Sequence, residues 1–292
     1  MEATISPLVE TESDPRHSPV FGRILGSRLL TDAILSIFGI AFFVPFIWLI
    51  LSAFNRDATA GFAGFKFSFF NFSDAIHMGA GRAIYNSLYL SLVSTLVATV
   101  GALFAAYVLS RKRVPFKGAL LVGVLFLSAL PSSLLLIPIF QEFVKFHWQN
   151  SPFYASLALA SASLPFSIWI IKNFIDQIPK DYEEAASVEG ANDIRILRKI
   201  VFPLTLPGLV VASMLTFVSS WGAFLVPLVL DTNPNNIPGS VGIYNFLSAN
   251  AGVQYGPLAA YSILFSMPVI GAYFVSVHWL NGGFAFAGGV KG

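Results

Sequence analysis

The side chains best suited to catalysis or metal binding are few and far apart in this sequence, which contains no Cys and 4 His residues. His77 and His147 fall in or near predicted loops, and His278 lies in an apolar segment. None has a spacing such as His-x3-His, which would place two ligands on one helix face. No Gly-x4-Gly-Lys-Ser/Thr phosphate loop occurs either. We therefore predict no catalytic residue, no metal site and no cofactor bound by this chain.

The polar residues gather instead in one segment, Ile178–Gly190, which has the punctuation of a short helix. Pro179 suits the first turn of a helix, and Gly190 suits the left-handed residue that ends one. Acidic side chains favour the positive end of the helix dipole, and three occur here: Asp181, Glu183 and Glu184. We expect the small Ala185 and Ala186 to be exposed, so that another backbone can approach closely.

A second helix is predicted to follow, capped by Asn192 or Asp193 and ended by Pro203. Its apolar and basic residues fall on opposite arcs, which is typical of a helix lying in the membrane interface. Pro207 would then open the next span. A connector between two spans needs only a few residues. This longer connector indicates either a docking surface for another protein or an interfacial helix that only tethers the span.

The remaining elements are long and apolar. Of the 292 residues 55% are hydrophobic and 11% are charged, against about 25% charged in soluble proteins. This composition disfavours an ordinary soluble enzyme, and a net charge of +2 with scattered basic residues indicates no nucleic-acid partner. Apolar runs of about 20 residues are long enough to cross a bilayer as helices. They predict an all-α polytopic membrane protein with spans at Leu29–Phe54, Tyr85–Ser110, Ala119–Phe140, Tyr154–Ile175, Pro207–Leu230 and Ala259–Leu280.

The distribution of Lys and Arg predicts the orientation. They concentrate in the N-terminal tail and in the loops that follow the second and fourth predicted spans, whereas the segment between Asp231 and Leu258 has none. The positive-inside rule then places both termini and the polar connector in the cytoplasm. We divide the chain into a polar tail, residues 1–28, and a transmembrane domain, residues 29–292. Pro131, beside Ser132 and Ser133, indicates either a packing kink or a broken helix that lines a pathway.

The connector also resembles a known motif. Glu184–Ala186, three residues, Gly190, nine residues, and then Ile200–Pro203 is similar to the loop motif of permease subunits of binding-protein-dependent ABC importers. Phe202 replaces the usual Leu. Five further segments resemble the carbohydrate branch of that family, specifically the second, six-span permease of maltose-type importers: Asn86–Leu92, Ala105–Arg111, Ile137–Phe140, Leu215–Trp221 and Gly288–Gly292. Gly222, Glu189 and His278 are departures from its usual residues.

This resemblance implies a coupling helix seated in a cleft of a cytoplasmic ATPase subunit. It implies a location in the bacterial inner membrane beside lipid, and three kinds of partner: a second permease, two ATPase subunits that bind ATP and Mg²⁺, and an extracytoplasmic solute-binding protein. The coupling residues it implies are Glu183, Glu184, Ala185, Ala186, Glu189, Gly190, Ala191, Ile200 and Pro203.

The resemblance implies a carbohydrate as the solute, a sugar or oligosaccharide. Aromatic and polar side chains can stack on or hydrogen-bond to a polyol. The candidates for the substrate pathway are Ser132, Ser133, Trp221, Tyr244, Asn245 and Tyr261. The alternatives are a permease for another solute such as glycerol phosphate, a membrane-bound enzyme, and a secondary transporter or channel. The last would require intramembrane charges or inverted repeats, and neither is visible.

Overall fold

The computed structural model describes residues 19–61, 64–246 and 253–287, and within them the regular structure is helical apart from one β-bridge between Asn55 and Phe67. The predicted all-α fold class is confirmed. Five helices are long and apolar enough to cross a membrane, or six if a bent pair counts as one span. The helices are α1 (Pro19–Ala53), α2 (Phe70–His77), α3 (Ala80–Arg111), α4 (Lys117–Ala129), α5 (Ser132–Lys145), α6 (Pro152–Asp176), α7 (Asp181–Val188), α8 (Asp193–Ile196), α9 (Phe202–Trp221), α10 (Leu225–Leu230), α11 (Gly239–Gly242) and α12 (Tyr255–Ala287).

The third predicted span is broken. Where Ala119–Phe140 was expected to be continuous, α4 ends at Ala129 and α5 begins at Ser132, and the two axes differ by 92°. Leu130 has an extended backbone with ψ 131°, which is the conformation that a following proline imposes on its neighbour. Of the two interpretations of this segment, the broken helix is therefore the one observed, and Pro131 does not merely produce a packing kink.

The predicted boundary at Pro203 is wrong. No separate interfacial helix precedes the fifth span, because α8, a π-helical turn at Leu197–Val201, and α9 form one apolar helix, Asp193–Trp221. In the π turn the Phe202 N–H donates to the carbonyl of Leu197, so the widened turn rearranges the bonding just before Pro203. The span also ends earlier than Leu230, since α10 is a separate short helix.

Helix α1 extends further towards the N-terminus than the predicted span, beginning at Pro19 rather than Leu29. The apolar run fixes only the part that crosses the bilayer, Thr31–Ala53, and the helix continues into the predicted tail. The chain divides into two compact units, 1–51 and 52–292. Within α1 the side chains of the apolar window are not buried. Residues 1–18 of the tail and the terminal segment 288–292 lie outside the described residues.

The core of the second unit forms where α3, α6 and α9 pack together. Hydroxyl groups connect these helices across the bundle: Ser94 Oγ donates to the Ser156 carbonyl at 2.9 Å, and the Ser167 and Thr216 hydroxyls are 3.1 Å apart. Small residues allow such close contact between membrane helices. Buried alanines in this core include Ala102, Ala106 and Ala212. The last turns of α3 and α6, which come after Leu109 and Ile171, contact the connector that contains α7.

Gly208 in α9 is the closest of these helix contacts. A Cβ at this position would lie 2.5 Å from Cγ of Phe174 in α6. We expect Gly208→Val to lower the free energy of unfolding of the purified chain in detergent by about 1–3 kcal/mol, because the extra methyl groups overpack the α6–α9 contact. Gly271→Val in α12 is the control, since a Cβ there would have no neighbour within 4 Å among the residues that the structure describes. Equal shifts in thermal unfolding for the two variants would contradict this packing.

Candidate coupling surface and substrate pathway

The connector forms a helix, a tight turn and a capped second helix. Helix α7 starts after Lys180, so Pro179 lies outside the helix rather than in its first turn as predicted. Gly190 has a φ of +86°, as predicted. Its N–H donates to Ser187 O and that of Ala191 to Ala186 O, both at 3.0 Å, which is the Schellman arrangement for ending a helix. Asn192 caps the next helix by accepting a 2.9 Å bond from the N–H of Arg195.

The outer side of this connector is solvent-exposed and carries apolar side chains. Val188 is 89% exposed, Ile194 73% and Tyr182 55%. Among the residues of the predicted motif, Glu184, Ala185, Glu189 and Gly190 are exposed on the same connector. We call the exposed set the outer face: Tyr182, Glu184, Ala185, Val188, Glu189, Gly190 and Ile194.

The other motif residues lie behind the outer face. Ala186 is half-buried and, like Ala191, packs against the apolar core of the bundle, so the prediction that both Ala185 and Ala186 are exposed is wrong for Ala186. Its methyl group faces inward because the turn at Gly190 folds α7 back onto the ends of the spans. Ile200 is half-buried in the π turn, and Pro203 is exposed in the first turn of α9.

The inner side of α7 is fastened to α3 by a buried ion pair. Nε of Arg111 donates to Oε1 of Glu183 at 2.5 Å, and their side chains are only 7% and 11% exposed. The same guanidinium donates to the carbonyl of Ile178 at 2.8 Å and to Oγ of Ser110 at 3.3 Å. The hydroxyl of Tyr107 lies 3.5 Å from the second carboxylate oxygen of Glu183. Glu183 is therefore an internal anchor, whereas Glu184 is available to another molecule.

A second polar contact joins α3 to α6 directly beside this pair. Oγ of Ser110 donates to Oδ1 of Asp176 at 2.5 Å, and Asp176 also pairs with Lys172 one turn earlier in α6. On the surface, Lys112 contacts Asp193 at 2.7 Å with both side chains exposed. Glu183 was among the coupling residues that the resemblance implied, whereas its partner Arg111 was not predicted. The available signal was a basic residue placed directly at the end of an apolar span.

The pathway candidates divide into exposed and buried residues. Tyr244 is half-exposed and stacks on Phe224 with ring centroids 5.4 Å apart, and Ser133 is exposed at the start of α5. Trp221 and Tyr261 are 3% and 1% exposed, and their polar atoms bond to the carbonyls of Phe265 and Gly239. In this conformation these two rings pack the bundle. The side chains of Ser132 and Asn245 lie outside the described residues.

The loop after α10 is held at the opposite end of α3 from α7. Nη1 of Arg82 donates to Oδ1 of Asn235 at 2.7 Å. Nδ2 of Asn236 donates to the carbonyl of Asn150 at 3.1 Å and to Oδ1 of Asp231 at 3.3 Å. The carboxyl of Asp231 is buried. Within the described part of the chain, no group of three His, Cys, Asp or Glu residues has the geometry of a metal site.

These features define a class of protein: a polytopic helical membrane protein with a helical connector. Buried polar contacts hold the inner side of this connector to the bundle, and its outer side is exposed to solvent. Residues 98–281, from α3 to α12 and including this connector, match the family described as the binding-protein-dependent transport system inner membrane component. The chain belongs to this family.

Two relatives and one solved structure extend the match. The chain is 30% identical over 236 residues to the trehalose/maltose transport system permease protein of Thermococcus litoralis, covering 77% of this chain and 84% of the relative. It is 26% identical over 254 residues to the diacetylchitobiose uptake system permease protein of Streptomyces coelicolor, covering 84% and 83%. The fold is similar to a bacterial ABC transporter involved in importing the acidic polysaccharide alginate, with a TM-score of 0.76 at 21% identity over 91% of this chain and 99% of the other.

Because the carboxyl of Asp231 is buried, we expect the folding stability of the chain to depend on pH. Burial raises the pKa of Asp231, and the N–H groups of Asn233 and Asn236 only partly offset this effect. A carboxyl whose pKa is higher in the folded state loses stabilising free energy as pH rises from its unfolded value, about 4, through its folded value. We expect Asp231→Asn, which does not titrate, to gain thermal stability relative to the native chain as pH rises from 4 to 7. A stability difference that does not change with pH, or that reverses, would contradict the assignment.

Proposed function

We propose that this chain is a permease subunit of an ATP-driven importer and that, with a second permease, it forms the translocation pathway for a carbohydrate. The observation that carries the proposal is the outer face of the α7 connector. Three apolar side chains are exposed there: Tyr182 and Val188 on α7, and Ile194 in the first turn of the helix that continues into the fifth span. A passive tether would not need such a surface, whereas a docking protein would bury it.

The partner at this surface is proposed to be an ATPase subunit on the cytoplasmic side. Glu184, Ala185, Glu189 and Gly190 would contact it. Ala186 and Ala191 would hold the connector against the spans, and Ile200 and Pro203 would lie in the helix that leads from it into the bundle. ATP and Mg²⁺ would bind to two such subunits, since this sequence has no phosphate-binding loop. The concentration of Lys and Arg on the connector side supports cytoplasmic termini and a location in the bacterial inner membrane.

The proposed mechanism is mechanical coupling. Closure of the ATPase subunits would displace α7, and the continuous helix Asp193–Trp221 would carry the displacement into the bundle. Alternation between an inward-facing and an outward-facing cavity would follow from rigid-body movement of the helices. The broken helix at Leu130–Pro131 is a suitable wall for the pathway, because its free backbone groups need water or polar partners.

A carbohydrate is the solute class that the relatives support. The two relatives are named for trehalose/maltose transport and for diacetylchitobiose uptake, and the similar structure is that of a transporter involved in alginate import. An extracytoplasmic solute-binding protein would deliver the solute, as the family's description indicates. Within the pathway we place Ser132, Ser133, Tyr244 and Asn245. Trp221 and Tyr261 would reach the solute only if the bundle rearranges.

Gly190 provides the sharpest test of docking. A side chain in its left-handed conformation costs about 1 kcal/mol or more, but no atom of the described residues lies within 4 Å of a Cβ at this position. We therefore expect the valine side chain of Gly190→Val to project into open space beside the permease. It would obstruct only a partner docked at this surface. Carbohydrate uptake should be lost and the copurified ATPase should fall, while the amount of membrane-inserted permease changes little.

Gly79→Val is the matched control, because Gly79 has a φ of +100° and equally open surroundings but lies before α3, away from the connector. It carries the same backbone strain, so it should retain the ATPase. Normal uptake in Gly190→Val, or equal loss of ATPase in the two variants, would reject the docking surface and favour a passive tether.

A further inference from the structure

The inner side of α7 holds a buried charged group that docking of a partner on the outer face does not use. The Arg111 guanidinium lies at the junction of three segments: its own helix α3, the link after α6, and α7 itself. It reaches Ser110, the carbonyl of Ile178 and the carboxylate of Glu183. Because the ion pair is almost fully removed from solvent, solvent screening weakens it much less than a surface pair.

We propose that Arg111 is a positioning residue that makes α7 and the ends of α3 and α6 move as one rigid unit. This inference rests on the proposed coupling function. Without Arg111, α7 is joined to the bundle mainly by its two chain connections and by the packing of Ala186 and Ala191. The turn at Gly190 would then absorb part of any displacement. With Arg111 in place, a push on the outer face reaches α3 and α6 as well as α9.

The hydrogen bonds beside the pair extend the connection into α6. Ser110, which accepts from Arg111, donates to Asp176, the last residue of α6. The fork geometry of a guanidinium is needed for this arrangement, because one side chain must donate in three directions. A lysine would keep the charge but could not hold Glu183, Ser110 and the Ile178 carbonyl in the same geometry.

The test uses the complete transporter reconstituted in liposomes, with two readouts: ATPase copurified with the permease, and carbohydrate imported per ATP hydrolysed. The variants are Arg111→Lys, Glu183→Gln and the double variant. We expect all three to retain the ATPase, since no outer-face side chain is replaced and Ala186 and Ala191 still pack α7 against the core. Import per ATP should fall about tenfold in each single variant, within the range of coupling between contacting residues, and the double variant should be no worse.

Lys112→Gln is the control, because Lys112 follows Arg111 and also reaches the connector, but its pair with Asp193 is exposed. Exposed pairs contribute little, so import per ATP should stay at the native value. A loss confined to the amount of assembled complex, with a native ratio of import to ATP, would overturn the positioning role. So would additive losses in the double variant. Absence of any copurified ATPase with the native chain would instead reject the proposed function itself.

Discussion

The ion pair between Arg111 and Glu183 is the interaction on which the position of the connector depends. Helix α7 has only eight residues, and an isolated helix of that length is unstable in water. Tertiary contacts therefore hold it in position: the buried ion pair and the packing of two alanines on the core. Breaking such a pair costs about 3–5 kcal/mol, because the remaining charge is left without a partner. A surface braced in this way can transmit force, whereas a loosely attached helix would yield to it.

The bundle that receives this force is held by contacts suited to a membrane. Hydroxyl bonds and small side chains connect α3, α6 and α9, since apolar side chains gain little by leaving lipid for another helix. Two charged pairs with largely buried basic side chains, Lys172–Asp176 and Arg111–Glu183, lie at the helix ends near the connector. The polar contacts around Arg111 therefore lie at one end of the apolar bundle. The helix that contains the π turn and α9 runs from that end into the bundle without interruption.

Hydropathy was sufficient to predict most of the spans and the fold class, because length and apolar content alone define a membrane helix. Local chemistry predicted the turn at Gly190 and the cap at Asn192, since both depend on residues adjacent in sequence. The boundary at Pro203 was wrong because a π turn accommodates the proline inside a continuous helix. Pairing of Arg111 with Glu183 could not be predicted, since 72 residues separate them and only the packing of α3 against α6 brings them together. The burial of Ala186, Trp221 and Tyr261 likewise depends on tertiary contacts that periodicity does not contain.

Seating of the outer face of the α7 connector on an ATPase subunit can be tested directly by crosslinking. A photoreactive amino acid at Val188 should crosslink to the ATPase in native membranes, because this side chain is 89% exposed on the outer face. The same group at Asn235, at the opposite end of α3, should give no such product. Crosslinks from Val188 only to lipid, or equal crosslinking of both positions to the ATPase, would contradict the account.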